Sequence, residues 1–288
     1  MFFMPWIYAA RPKTLIAVIA PIFLSVIILP DNIEINYLLL FLIFISALAI
    51  QIGTNYVNDL HDYLKGTDNQ DRIGPMRMLS SGIISEKKMR LGIKLVFLIA
   101  VITGFPLVLH GGFPILIVGI SSLFLAYMYT AGPVPIAYTP SGEFFVFLYF
   151  GIIAVCGSFY ILTNSISLLP FLVGMGIGSL NVLLLLINNI RDYENDKNNK
   201  KNTMIVKMGL FFGKIESFVT LLVAYGSVFL ISYYYSTFKL FILYLLSIPL
   251  TLSILYDIFK KSGKELNLTL PKISILMILH CFLFYFGF

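Results

Sequence analysis

Residues 58–63 read NDLHDY and residues 188–193 read NNIRDY, and each run closes a long apolar stretch. The second stands 130 positions after the first (188 against 58). It pairs Asn58 with Asn188, Leu60 with Ile190, Asp62 with Asp192 and Tyr63 with Tyr193. More acids follow each copy: Asp68 and Asp71, then Glu194 and Asp196. A carboxylate at the end of a membrane-length apolar run is costly unless it faces the protein interior or water, so its default reading is functional. Two acidic clusters on a duplicated scaffold point to a shared cation and a polyanionic substrate.

Composition sets the class around these runs. The chain is 59% hydrophobic and 12% charged, with mean hydropathy +0.92; a soluble domain carries about 25% charged residues. A helix rising ~1.5 Å per residue needs about 20 apolar residues to cross a bilayer core. By that measure the sequence predicts an all-α, polytopic membrane protein, a single transmembrane domain over residues 1–288. Nine spans are expected, near 14–29, 36–58, 90–109, 112–130, 143–162, 168–189, 210–234, 238–258 and 271–287. If a four-helix repeat underlies the echo, spans two and six enter the membrane in the same sense and their acidic ends face one mouth. The first span carries Pro21 and is expected to tilt or kink there; no cleavable leader is read before it.

With the N-terminus in the cytoplasm, Lys239 is the one basic residue of 20 placed outside. That asymmetry obeys the positive-inside rule, putting the acidic mouth in the cytoplasm and the C-terminus outside a plasma or inner membrane. The net charge of +6 is then a topology signal that also suits membrane lipid, with no nucleic-acid partner implied. Cys156 and Cys281 lie far apart in apolar spans, and the three histidines are scattered, so a His/Cys metal site is not expected. The small residues of GMGIG, 174–178, are those that let membrane helices approach closely.

At 3.6 residues per turn, Asn55, Asn58, Asp59 and Asp62 share one side of span two, and Asn188, Asp192 and Asp196 do the same beyond span six, with Asn181 two turns deeper. Converging carboxylates repel unless a cation lies between them. Mg2+ suits such a place, since it takes hard oxygens and binds through a few carboxylates plus substrate phosphates. Interleaved Lys65, Arg72, Arg77, Arg191, Lys197 and Lys201 would complement a diphosphate.

The blocks NDLHDYLKGTDNQDRIGPMR (58–77), YTAGPVPIAYTPSGE (129–143) and NNIRDYENDKNNKKNTMIVKMG (188–209) resemble the UbiA superfamily of intramembrane prenyltransferases. ARPKT (10–14), GTDNQDRIGPMR and KNT (201–203) are similar to the branch acting on 1,4-dihydroxy-2-naphthoate. The resemblance implies nine helices around a central cavity and Mg2+ holding the diphosphate of a polyprenyl donor. It also implies attack by the aromatic acceptor on an allylic cation, with loss of pyrophosphate and CO2 to give demethylmenaquinone.

On the matched positions it makes Asp62, Asp192 and Asp196 catalytic, and Asn58, Asp59, Asp62, Asp68, Asp71, Asp192 and Asp196 the metal and diphosphate ligands. Asn55, Asn58, Lys65, Arg72, Arg77, Asn188, Arg191 and Lys201 are the substrate-binding residues, and Tyr129 and Tyr138 border the aromatic ring or the cation. An interfacial aromatic belt accounts for the two tyrosines equally well. Arg11 is a candidate partner for the acceptor's carboxylate, and positive-inside anchoring explains it as well. Two departures stand out: Gly66 where many members have Asp, and Val134 where Lys is common, which shifts weight for diphosphate binding onto Arg72 and Arg77. A 4-hydroxybenzoate enzyme of the same superfamily and a secondary transporter are the alternatives. Transporters also use repeats and intramembrane polar residues, but their sites lie near the midplane.

Overall fold

The structure is a computed structural model that describes residues 4–66, 74 and 76–288. Seven helices are long and apolar enough to cross a membrane, and the bent pair Met4–Thr14 and Ile16–Ile27 makes an eighth. In chain order, α1 is Met4–Ala10, α2 Ile16–Ile27, α3 Tyr37–Leu64 and α4 Glu86–Met128. The span Gly142–Thr163 consists of α5 (Gly142–Phe147), a π turn (Leu148–Ile153) and α6 (Ala154–Thr163). Then come α7 (Leu168–Arg191), the short α8 (Tyr193–Asn198) and α9 (Met204–Met208), α10 (Leu210–Tyr234), α11 (Phe238–Tyr244), α12 (Ile248–Lys260) and α13 (Thr269–Gly287).

Helix α4 has 43 residues, about 65 Å at 1.5 Å per residue and twice the thickness of a hydrocarbon core. It divides at Gly112, whose φ of 68° and ψ of −155° belong to a region open to glycine. The two halves fold back along α3. Gly92 in the first half faces Trp6, which packs on Tyr56 of α3 at 5.4 Å, and Tyr127 in the second meets His61 of α3 at 5.8 Å. Near the turn, Leu107 and Ile115 pack with Leu39 and Ile43 at the opposite end of α3. With α4 counted as two crossings, the described residues make the nine spans expected.

The first span breaks elsewhere than expected. Its helices bend by 56° between Thr14 and Ile16, while Pro21 sits inside an unbroken α2. Earlier in the same span the helix is already interrupted at Arg11, which adopts the left-handed conformation at φ 51° and ψ 70° before Pro12.

Helix α7 is the pillar. Its apolar window is 78% buried, against 17% for α4. Gly174 and Gly178 let the π turn come so close that a Cβ on Gly151 would stand 2.5 Å from the Gly174 carbonyl oxygen and from the Gly178 Cα. Asn181 then donates Nδ2 to the Phe150 carbonyl in that turn at 3.0 Å and to the Ala17 carbonyl of α2 at 3.2 Å, tying three segments together. On the other flank α10 packs along α7, and Leu221, Ala224, Val228 and Ile231 join its buried core.

Because both atoms that crowd Gly151 belong to backbone, Gly151→Ala is expected to cost about 2 kcal/mol by overpacking, about 4–8 °C of Tm for a chain of this size. Gly157→Ala, whose Cβ would meet nothing within 4 Å, should leave Tm unchanged. Thermal unfolding of the purified protein in one detergent checks the pair.

Candidate active site

Helices α3 and α7 deliver Asp62 and Asp192 to the same end of the bundle. Lys65 caps α3 and Gly66 follows at φ 70°, donating its N–H to the Tyr63 carbonyl. The Gly66 departure is thereby explained: the position terminates the helix in the left-handed conformation that glycine adopts without strain. Helix α7 ends at Arg191 and α8 begins after Asp192, yet Asp192 N still bonds Asn188 O at 2.9 Å and Asp196 N bonds Asp192 O at 2.8 Å. The four-residue spacing therefore survives the break and brings Asp196 beside Asp192.

A small polar cavity of about 110 Å³ joins these ends; Asn58, Asp62, Tyr129, Asp192, Asp196 and Lys201 line it. Each acid meets a cation. Arg77 donates Nη2 to Asp62 Oδ2 at 2.9 Å, Arg191 grips Asp192 with Nε at 2.8 Å and Nη2 at 2.6 Å, and Lys201 reaches Asp196 at 3.1 Å. Tyr138 donates its hydroxyl to Asp62 Oδ1 at 3.0 Å, and its ring lies under Lys65 at 4.5 Å and Lys201 at 4.9 Å. Burial raises the Asp196 carboxyl above the usual range, and Lys201 opposes the shift. Burial also pulls Lys201 down, but Asp196, Asp62 and Asp192 together outweigh it and hold the ammonium above its ordinary range. Lys65 is lowered by burial, with Asp62 opposing and Lys201 adding to the shift. At the mouth, then, the three carboxylates meet the four cations Arg77, Arg191, Lys65 and Lys201.

Below it opens a second cavity of about 1760 Å³, bounded by α1 to α7 and α13. Asn58, Tyr129 and Asp192 border both cavities, so the polar mouth adjoins a mainly apolar chamber. Helices α10 to α12 stand clear of the chamber among the described residues, so the ring of helices around it is narrower than the nine expected.

Not every expected site residue points its polar atoms at the mouth. Asn55 is buried with Nδ2 on the Ala10 carbonyl at 2.8 Å and on Thr14 Oγ1 at 3.2 Å, which anchors the first span. Asn188 bonds its own helix at the Leu184 carbonyl at 2.7 Å and lines the large chamber. Asp59, 1% exposed, accepts from the Met78 N–H at 3.2 Å and so holds the segment beside Arg77. Arg11 lines the chamber, while Val134 is 67% exposed and lines neither cavity. Asp68, Asp71 and Arg72 lie outside the described residues. Among the described residues no three acidic, His or Cys groups are close enough to chelate an ion alone. That fits a hard cation whose coordination substrate phosphates and water complete.

Sequence reasoning missed Thr130, which donates its hydroxyl to Asn58 Oδ1 and receives Lys65 on its carbonyl at 2.9 Å. It missed Asn267, whose Oδ1 accepts from Arg191 Nη1 at 3.0 Å. It also missed Glu143 and Asn189, paired at 3.0 Å on the wall of the small cavity. Thr130, Glu143 and Asn189 sat inside the quoted motifs and could have been found by their neighbours; Asn267 carries no local signal.

A helical membrane bundle with a charged mouth above one apolar chamber defines an intramembrane enzyme for an amphiphilic substrate. The chain belongs to the UbiA prenyltransferase family, whose sequence profile matches residues 18–276. It is 34% identical over 229 residues to the 1,4-dihydroxy-2-naphthoate octaprenyltransferase of Haemophilus influenzae, covering 76% of this chain and 74% of that protein. It is 32% identical over 210 residues to the protein of the same name from Escherichia coli, covering 71% and 68%. Among solved structures, a UbiA homolog from Archaeoglobus fulgidus bound to GPP and Mg2+ superposes with TM-score 0.70 at 17% identity over 98% of this chain and 99% of that one.

Tyr138→Phe keeps the ring between its two lysines and removes one charge-assisted hydrogen bond. It is expected to lower kcat/KM for prenyl transfer about tenfold. Tyr138→Leu also removes the cation–π contacts and should fall about a further tenfold. Steady-state kinetics on the two variants tests the ordering.

Proposed function

We propose that this chain transfers a polyprenyl group from polyprenyl diphosphate to 1,4-dihydroxy-2-naphthoate, releasing pyrophosphate and CO2 and giving demethylmenaquinone. One observation carries the reading: repeat-related Asp62 and Asp192 flank a single polar mouth that adjoins a large apolar chamber. The first suits a diphosphate with its cation, the second a prenyl chain and an aromatic ring. Relatives named for this reaction support the acceptor. The A. fulgidus homolog with GPP and Mg2+ supports a prenyl diphosphate and that metal. The one-sided position of the acids disfavours a transporter, whose site would lie near the midplane.

Asp62, Asp192, Asp196 and Asn58 are the described residues that would hold Mg2+, with Asp68 and Asp71 as further candidates. When bound, Mg2+ supplies Lewis-acid stabilisation of charge on the departing pyrophosphate. The protein's own share is electrostatic and steric. Arg77, Arg191, Lys65 and Lys201 hold compensating positive charge at the mouth where the carbon–oxygen bond breaks and the electron pair leaves with pyrophosphate. Tyr138 keeps Asp62 oriented and Asn267 keeps Arg191 oriented. The chamber excludes water that would capture the allylic cation before the ring carbon attacks. The mouth faces the cytoplasm and the C-terminus lies outside, an orientation supported by the basic residues that gather at the same end. Residues 1–288 act as one transmembrane domain.

Purified protein given dihydroxynaphthoate and a polyprenyl diphosphate should form a prenylated product with Mg2+ and none with chelator; absence of Mg2+-dependent product would sink the reading. With 4-hydroxybenzoate instead, turnover should be at least tenfold lower. Asp62→Asn and Asp192→Asn should each reduce turnover by more than about 100-fold, the scale seen when one charge stabiliser is lost, while circular dichroism stays unchanged. Retained activity in both would remove their assigned role.

A further inference from the structure

Asn267, whose Oδ1 accepts from Arg191 Nη1 at 3.0 Å, stands on the connection between α12 and α13. That connection runs from Lys261 to Leu268, and one buried carboxylate fastens both of its ends. Asp257, 2% exposed in the last turn of α12, pairs through Oδ1 with Lys261 at 2.7 Å, where the connection begins. Its Oδ2 pairs with Lys272 at 2.7 Å and accepts from the Thr269 hydroxyl at 3.0 Å, where α13 begins. Lys272 also donates to Ser253 Oγ at 2.7 Å, one turn before Asp257, so α13 is tied to α12 at two successive turns. Between the fastened ends, Leu266 is fully buried in the core that α7 shares, and Asn267 beside it meets Arg191.

Among the described residues α12 lines neither cavity, yet it carries this carboxylate. A charge so deeply buried persists only with its partners, and here the partners flank Asn267 on both sides in sequence. Asn267 has to place its oxygen within reach of a guanidinium that already grips Asp192 through Nε and Nη2. A misplacement of about 1 Å is enough to disable such a constellation. We propose that Asp257 is a positioning residue for the site: by closing the α12–α13 connection it sets Asn267, and through Asn267 the Arg191 guanidinium at the mouth. This assignment rests on the proposed reaction and adds a residue, outside both cavities, on which diphosphate binding depends.

The test reads binding by folded protein, without turnover. Asp257→Asn keeps the shape of the side chain and removes the charge between two ammoniums, so Tm should fall whatever the residue does for the site. The deciding quantity is the Kd, in nanodiscs with Mg2+, for a non-hydrolysable prenyl thiodiphosphate in the parent, Asp257→Asn, Asn267→Ala and the double variant. Asn267→Ala should raise Kd about tenfold, the equivalent of one hydrogen bond to a charged group. Asp257→Asn should raise it at least about fivefold, and the double variant should stay within about twofold of Asn267→Ala, because both changes act on one contact. A purely structural Asp257 would lower Tm and leave Kd unchanged. The proposal is overturned if either single variant raises Kd less than fivefold, or if the double variant lies more than twofold above Asn267→Ala. Should Asp257→Asn fail to fold, Thr269→Val, which removes the hydroxyl donated to Asp257 and keeps both lysine pairs, is judged by the same limits. A parent protein that binds the thiodiphosphate yet yields no prenylated product defeats the reaction and leaves the positioning role judged by the Kd values. A parent that binds none overturns both.

Discussion

Three carboxylates held at the rim of a membrane bundle are the constraint around which the remainder is arranged. Bringing Asp62, Asp192 and Asp196 together in a half-dry cavity carries a desolvation cost, and each must be paired to persist. Arg77, Arg191 and Lys201 do this, and each is itself held in place. Arg191 leans on Asn267, Lys201 stacks on Tyr138, and the segment bearing Arg77 is pinned through Met78 to Asp59. Removing a partner would leave a buried charge, so the described segments that carry Arg77, Arg191 and Lys201 are held by the electrostatics of the mouth as well as by packing.

The chamber below follows from a different requirement. A cavity this large forfeits packing energy, and the loss is contained by keeping one flank dense. Helix α7 buries most of its surface against α10, α13 and the π turn, and the glycines at 151, 174 and 178 allow backbone contact there. The other flank, made by α3 and the doubled-back α4, is thinner and borders open volume. The site thus lies at the seam between a densely packed half and a thinner one.

Much of this was legible in the chain. Span positions follow from hydropathy, because in a bilayer only helices satisfy their own backbone; even the hairpin in α4 was readable from HGGFP at 110–114. The echo at Asp62 and Asp192 placed both acids at one mouth through helical periodicity alone. Less legible were contacts between residues distant in sequence. Nothing near Asn267 marks it as the partner of Arg191. Asn55 and Asp59 carry the motif's spelling, yet Asn55 bonds the Ala10 carbonyl and Thr14 Oγ1 and Asp59 accepts from the Met78 N–H, each in another segment. Pro21 looked like the kink, whereas the bend lies between Thr14 and Ile16 and Pro21 sits inside an unbroken helix.

By itself, then, the sequence determined the class of protein, the number of spans, the duplication and the identity of the acids, all of which depend on local composition and on spacing along a helix. Tertiary structure alone decided which cation neutralises which acid and which helices border the chamber. It also decided that Gln51 and Asn181, separated by 130 residues, border the same chamber. The physical reason is that helix periodicity sets the face a residue occupies relative to its neighbours in sequence. What that face meets is set by how separate helices pack, and that information is spread over the whole chain.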